Sequence, residues 1–137
     1  MKKQVTIKII SLFTLVCATI MFNIVKAKAD STPHNLDGTD VTARTTCATY
    51  NATAATYADT YNPYVTAEVS DVRYYMKDYS TGTVFLDYFS PYSNSGQSST
   101  SLFLSPISGC VSHHISSHHK ASKPGVIPWE TDTSDYA

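Results

Sequence analysis

From Tyr64 to Ser70 the chain alternates: Val65, Ala67 and Val69 fall on one side, Thr66, Glu68 and Ser70 on the other. A period of two is the mark of a half-buried β-strand. At Asp71-Val72 the phase slips, and Val72, Tyr74 and Met76 carry the apolar face onward. A one-residue slip inside a strand is what a β-bulge absorbs. Asn62-Pro63 marks a turn before this strand, and Tyr79-Ser80-Thr81-Gly82 a turn after it. Thr83 to Phe89 is predicted as a second strand, with Val84, Leu86 and Tyr88 facing one way. Ser90 to Ser99 reads as a long polar loop. Leu102 to Leu104 and Cys110 to Ile115 come next as strands, the latter with Val111, His113 and Ile115 aligned. Thr42 to Tyr57 supplies one or two more, because Thr and Tyr surround the short Ala54-Ala55 run that would otherwise suggest helix. Short strands separated by turn signals predict an all-β fold, a small antiparallel β-sandwich of about six to seven strands.

The amino-terminal segment has another texture. Lys2, Lys3 and Lys8 lead into an uncharged, largely apolar run from Ile9 to Val25, and Ala27-Lys28-Ala29 gives the small-x-small pattern that a signal peptidase reads. Residues 1–29 are therefore expected to be a signal peptide, and the remainder to be secreted and extracellular. An uncleaved anchor competes with this reading, since a bilayer span takes about 17 to 25 residues. Ser11, Thr14, Thr19 and Asn23 make the run a poor span, and Cys17 would leave with the signal. Residues 30–41 are polar and turn-forming and read as a flexible lead-in. Residues 42–137 read as a single β-sandwich domain.

Removing the signal changes the charge. The whole chain carries a formal −1, but five of its ten basic residues lie before Asp30. Arg44, Arg73, Lys77, Lys120 and Lys123 then stand against all eleven carboxylates, a formal −6. Such a domain lacks the basic footprint of a nucleic-acid binder. Nor does it gain from an anionic membrane surface once the signal is gone. A monomer meeting a neutral or cationic extracellular protein or glycan is the expectation.

Cys47 and Cys110 are the two cysteines that remain. An even pair in an exported chain reads as one disulfide. Closing a loop of about 60 residues would stabilise the fold by roughly 4 kcal/mol. Large aliphatic residues are scarce, so the ten tyrosines must supply buried area while keeping their hydroxyls at a wet edge. Trp129 reads as a packing residue. The signal peptide, the Thr/Ser/Tyr-rich strands, the Cys47 and Cys110 pair, the Ser112 to His119 stretch and Trp129 together resemble a loose group of small, uncharacterised exported proteins of Gram-positive bacteria. That resemblance implies one β domain and carries over no catalytic residue.

Four of the five histidines fall in His113-His114-Ile115-Ser116-Ser117-His118-His119. Imidazoles ligate zinc, copper and nickel, so His113, His114, His118 and His119 are the candidate ligands for a transition metal. On one straight strand His114 and His118 would stand roughly 13 Å apart, at about 3.3 Å per residue, too far to share an ion. A hairpin turn at Ser116-Ser117 would instead set His114 opposite His119, although Ser-Ser lacks the Gly or Asn that such turns favour. Otherwise the tract is simply a His-rich polar strand. Asn35, Asp37 and Asp40 do not complete a calcium-loop spacing, and Asp37-Gly38 reads as a turn. No nucleophile elbow or phosphate loop is present, so no enzyme is expected and no cofactor is required. The tyrosines exceed what one small core can hide, and Tyr61, Tyr64, Tyr79 and Tyr92 are candidates for a contact surface. The leading expectation is a secreted, disulfide-stapled, non-enzymatic binding protein. The alternative is a secreted antibacterial or toxin-like factor that uses the histidine cluster for a metal.

Overall fold

The computed structural model describes residues 30–137, so the expected signal peptide, with Ala27-Lys28-Ala29 and Cys17, lies outside them. Nine strands fill this range: β1 (Asp30–Leu36), β2 (Thr39–Ala48), β3 (Asn51–Ala58), β4 (Thr66–Asp78), β5 (Val84–Ser90), β6 (Asn94–Gln97), β7 (Ser99–Leu104), β8 (Cys110–Ser122) and β9 (Trp129–Tyr136). They form two antiparallel sheets. One runs β1-β2-β3-β7 and the other β5-β4-β8-β9, with β6 also paired to β4. The sheets face each other as a sandwich, with β2 and β3 over β8, and β1 beside β9. The described residues include no helix long and apolar enough to cross a membrane.

Strand β4 behaves as its pattern predicts. Ala67 and Val69 are buried, Ser70 and Asp71 are not, and Val72, Tyr74 and Met76 are buried again. Ser70 lies opposite His118 and Arg73 opposite Ser116, so Asp71 and Val72 together face Ser117. Asp71 takes up the extra residue with a φ of 47°, the left-handed conformation that Asp tolerates better than most side chains. A second bulge interrupts the ladder further on. Tyr75 pairs with His114 and Met76 with Ser112, leaving His113 over. This slip turns Ser112 and Ile115 inward together, whereas alternation alone would align His113 with Ile115.

Residues 30–36 are not a flexible lead-in. They pair with β2 along their whole length, from Asp30 against Thr45 to Leu36 against Thr39. The turn is Asp37-Gly38, with φ of 48° and 78°, a two-residue hairpin link of the kind Asp-Gly favours. The Asn35 side chain accepts from the Gly38 amide at 2.9 Å and holds it. Polar composition concealed the strand because an edge strand needs few apolar anchors. Leu36 supplies one, and Pro33 costs no ladder bond when its nitrogen faces outward.

The loop expected over Ser90 to Ser99 contains β6, which continues the edge begun by β5 and then crosses to β7 in the other sheet. Gly96 permits that crossing, because a Cβ there would collide with the Ser99 carbonyl. Two apolar clusters fill the sandwich. One gathers Val69, Val72, Tyr74, Met76 and Ile115 with Ala52 and Ala54; the other gathers Leu36, Val41, Val65 and Ala121, with Trp129 packed against it. Many inward positions are only Ala or Thr, so the layers approach closely.

Cys47 and Cys110 correct the disulfide expectation. Both are buried in the first cluster, and both are free thiols. Each side chain projects into the core as a small apolar group, so the sandwich closes by packing and not by a covalent staple.

Thr45 is fully buried on β2, and its hydroxyl has no hydrogen-bond partner among the described residues. Thr45→Val keeps the shape and removes the orphaned group, so it should raise unfolding free energy by about 1 kcal/mol. Chemical denaturation of the two proteins checks this; a lower midpoint for the valine variant would contradict it.

Candidate functional site

Strand β8 runs unbroken from Cys110 to Ser122, paired on one side to β4 and on the other to β9. There is no hairpin at Ser116-Ser117, because both serines sit in the continuous β8–β9 ladder, Ser116 against Ser134 and Ser117 against Thr133. His114 therefore lies between Tyr75 and Tyr136, and His119 between Val69 and Thr131. The four histidines occupy four different settings. His113 meets Tyr136 edge-on at 6.0 Å. His114 is stacked between Tyr136 at 4.1 Å and Tyr75 at 5.5 Å. Burial lowers its pKa, and the neighbouring His113 adds to the effect. His118 points outward, with Nδ1 2.8 Å from Asp132 Oδ1 and Nε2 3.9 Å from Glu130 Oε2. Among the described residues no three His, Cys, Asp or Glu side chains converge as a metal site would require.

His119 is the exception to the tract's polarity, for it is wholly buried between the sheets. Thr56 on β3 donates its hydroxyl hydrogen to the Glu68 carbonyl at 2.7 Å. Its oxygen, 2.8 Å from His119 Nδ1, is then free only to accept. The neutral ring must therefore carry its hydrogen on Nδ1. Nε2 accepts, with Ser117 Oγ at 2.8 Å and Thr133 Oγ1 at 2.7 Å. Burial pushes the His119 pKa down to about 4, with His118 adding to the shift.

A serine and a histidine this close invite comparison with a nucleophile and its base. The chemistry does not bear it out. An imidazole with so low a pKa is a weak base near neutrality, and Nδ1 is oriented by a hydroxyl and not by a carboxylate. Ser117 and Thr133 are themselves buried. Cys47 is no better a nucleophile, since burial and the Asp135 charge raise its thiol to about 11. The arrangement acts as a polar tie between sheets.

Two carboxylates reinforce the side of the sandwich where β1 meets β9. Asp135, on β9, accepts from the Cys47 amide of β2 at 2.7 Å. Asp30, on β1, accepts from the Ser134 amide of β9 at 3.1 Å. Above them opens a polar cleft of about 280 Å³, walled by Asp30, Asp71, Arg73, His118 and Asp132, with Ser117 and Thr133 in its lining.

The exposed aromatics collect elsewhere. Turns 49–50, 79–83 and 105–109 meet at one end of the sandwich. The Ser112 amide donates to the Thr49 carbonyl at 2.9 Å, and the Tyr79 amide to the Gly109 carbonyl at 3.0 Å. Tyr50 and Tyr79 stand 67% and 64% exposed with hydroxyls 3.4 Å apart, and the third turn presents Ile107. Asp78 shapes the middle turn by accepting from Ser80 and Thr81, bonds that hold its carboxyl down at about 2.

Of the four tyrosines singled out from the sequence, all are exposed, but they do not form one patch. Tyr61 and Tyr64 lie in the segment before β4, at the opposite end from Tyr79. Tyr92 sits on the link between β5 and β6. Tyr50 escapes a reading of the sequence, because the two-residue turn at Thr49-Tyr50 carries no Gly, Asn or Pro to announce it. No family model matches the chain, and no curated protein is significantly similar to it.

With both cysteines free, adding reductant should leave the thermal midpoint unchanged. Thiol alkylation should be negligible until the domain is unfolded. A fall in midpoint on reduction, on the scale of the roughly 4 kcal/mol a bridge would supply, would contradict the free-thiol geometry.

Proposed function

We propose that this protein is an exported, non-enzymatic binding module that engages a protein or glycan partner through the tyrosine-bearing end of its sandwich. The observation that carries the reading is the juxtaposition of Tyr50 and Tyr79, exposed and adjacent, on separate turns. Loops at the end of a rigid sandwich make good recognition surfaces because the scaffold fixes them. Tyrosine gives large contact area at low entropic cost, and Ser80, Thr81 and Thr83 surround it with adaptable hydroxyls. Asp78 keeps one fixed negative charge beside the patch, which suits a neutral or cationic partner.

Other surfaces offer less. On the outer face of the second sheet, Tyr75, His114 and Tyr136 stack on one another, so their ring faces are already occupied. The metal-dependent form of a toxin-like role draws no support from histidines that lie apart along one strand.

The test uses the chain from Asp30 onward, fluorescently labelled, on purified Gram-positive cell walls and on immobilised glycans and extracellular proteins. Saturable retention should fall at least tenfold in a Tyr50→Ser/Tyr79→Ser double variant with an unchanged thermal midpoint, since anchor tyrosines typically carry more than 1 kcal/mol. Tyr61→Ser/Tyr64→Ser should retain binding. No saturable retention on any surface, or equal loss in both variants, would overturn the proposal.

A further inference from the structure

We propose that the outer face of the β1-β2-β3-β7 sheet carries a second, smaller binding site, for a sugar acid whose carboxylate pairs with Arg44. It is independent of the tyrosine-bearing end. The site is an open depression of about 320 Å³ lined by Arg44 and Thr46 of β2 and by Thr53, Ala55 and Tyr57 of β3. All five lie on the solvent side of their strands, while Thr45, Ala54 and Thr56 between them are buried. Small-molecule sites begin at about 300 Å³, so the depression has room for one sugar ring and leaves the rest of a glycan in solvent.

The register explains the shape. Ala55 lies between Arg44 on β2 and Ser101 on β7, so the floor beside the guanidinium is low. Thr53, paired with Thr46, stands on one side of Ala55 along the strand, and Tyr57 on the other. Phe103 pairs with Thr53 from the edge strand, is exposed, and extends the rim.

The charges narrow what this site would hold. Among the described residues Arg44 makes no ion pair, whereas Arg73, Lys120 and Lys123 face carboxylates at 3.5, 3.4 and 3.8 Å. Eleven carboxylates stand against only five Lys and Arg from Asp30 onward, so a guanidinium without one is set apart by its surroundings. Asp40 and Asp59 meet at one end of the face, where the Asp59 amide donates to the Asp40 carbonyl at 2.9 Å. They lie four residues along from Arg44 and Ala55, roughly 13 Å away. Their carboxylates already accept from Asn35 at 2.6 Å and from Thr42 at 2.8 Å.

A guanidinium fork pairs with a planar carboxylate through two parallel hydrogen bonds. Thr46, Thr53 and Tyr57 offer hydroxyls that donate and accept, as a polyhydroxylated ligand requires. Tyr57 adds an aromatic wall for the C–H side of a sugar ring. The formal −6 repels densely charged polymers such as teichoic acids, sulfated glycans and nucleic acids. It tolerates one carboxylate on an otherwise neutral glycan, the chemistry of a terminal sialic or uronic acid.

Amide chemical shifts of the nitrogen-labelled chain from Asp30 onward, titrated with sialyllactose and with glucuronic acid, test this. Lactose and glucose are the neutral controls. Acetate and a short peptide with a free C-terminus supply the carboxylate without the sugar. At least one sugar acid should shift Arg44, Thr53, Ala55 and Tyr57 saturably, and bind at least tenfold more tightly than its neutral control, acetate or the peptide. Arg44→Gln should weaken that binding at least tenfold with an unchanged thermal midpoint, and Tyr50→Ser/Tyr79→Ser should leave it intact. Equal or tighter binding of any control, undiminished binding in Arg44→Gln, or no saturable shift on this face would each overturn the proposal. Shifts confined to the Tyr50 and Tyr79 end would overturn it too, while supporting the reading of that end.

Discussion

The constraint on which this fold depends is the thinness of its core. Two sheets must be held together largely by Ala, Val and Thr, with Tyr74, Met76, Leu36 and Ile115 as the main large side chains fully or nearly buried. Small residues bury little apolar area each, at about 25 cal/mol per Å². Polar ties therefore matter more here than in a sandwich filled with Leu and Phe. Thr56, His119, Ser117 and Thr133 form the central one, and Asp30 and Asp135 close the side. A tie of this kind stabilises only while every donor has an acceptor, which is why the tautomer of His119 is decisive.

The same economy shapes the surface. A core with so few large residues cannot hide ten tyrosines. Tyr74 goes inside with its hydroxyl on Ser112, while Tyr50, Tyr61, Tyr64, Tyr79 and Tyr92 go outside. Their exposure is thus partly a consequence of composition. What distinguishes Tyr50 and Tyr79 is that independent turns bring them together.

Much of the fold is legible in the sequence, and the misses have physical reasons. The β4 alternation and its slip at Asp71 can be read because burial on one face imposes a period of two, and a bulge is the cheapest way to restore it. The Asp37-Gly38 turn is also visible, but not that it joins two strands, since β1 is an edge with almost no apolar signal. In β8 the bulge at His113 shifts the phase without any break in polarity, so the inward role of Ser112 is hidden. His119 looks like one more member of a polar tract. Its burial is decided by Thr56 and Thr133, each many residues away, and no local pattern carries that information. The cysteine pair misleads because spacing and compartment say nothing about how two buried side chains point.

The central tie requires His119 to be neutral and to hold Thr56 through Nδ1–H. Long-range nitrogen–proton correlation spectra of the folded domain at neutral pH read that state directly. A protonated Nδ1 and a bare Nε2 on His119, with the Nδ1 hydrogen slow to exchange, is the predicted result. A protonated Nε2 beside a bare Nδ1, or a ring charged at neutral pH, would contradict it.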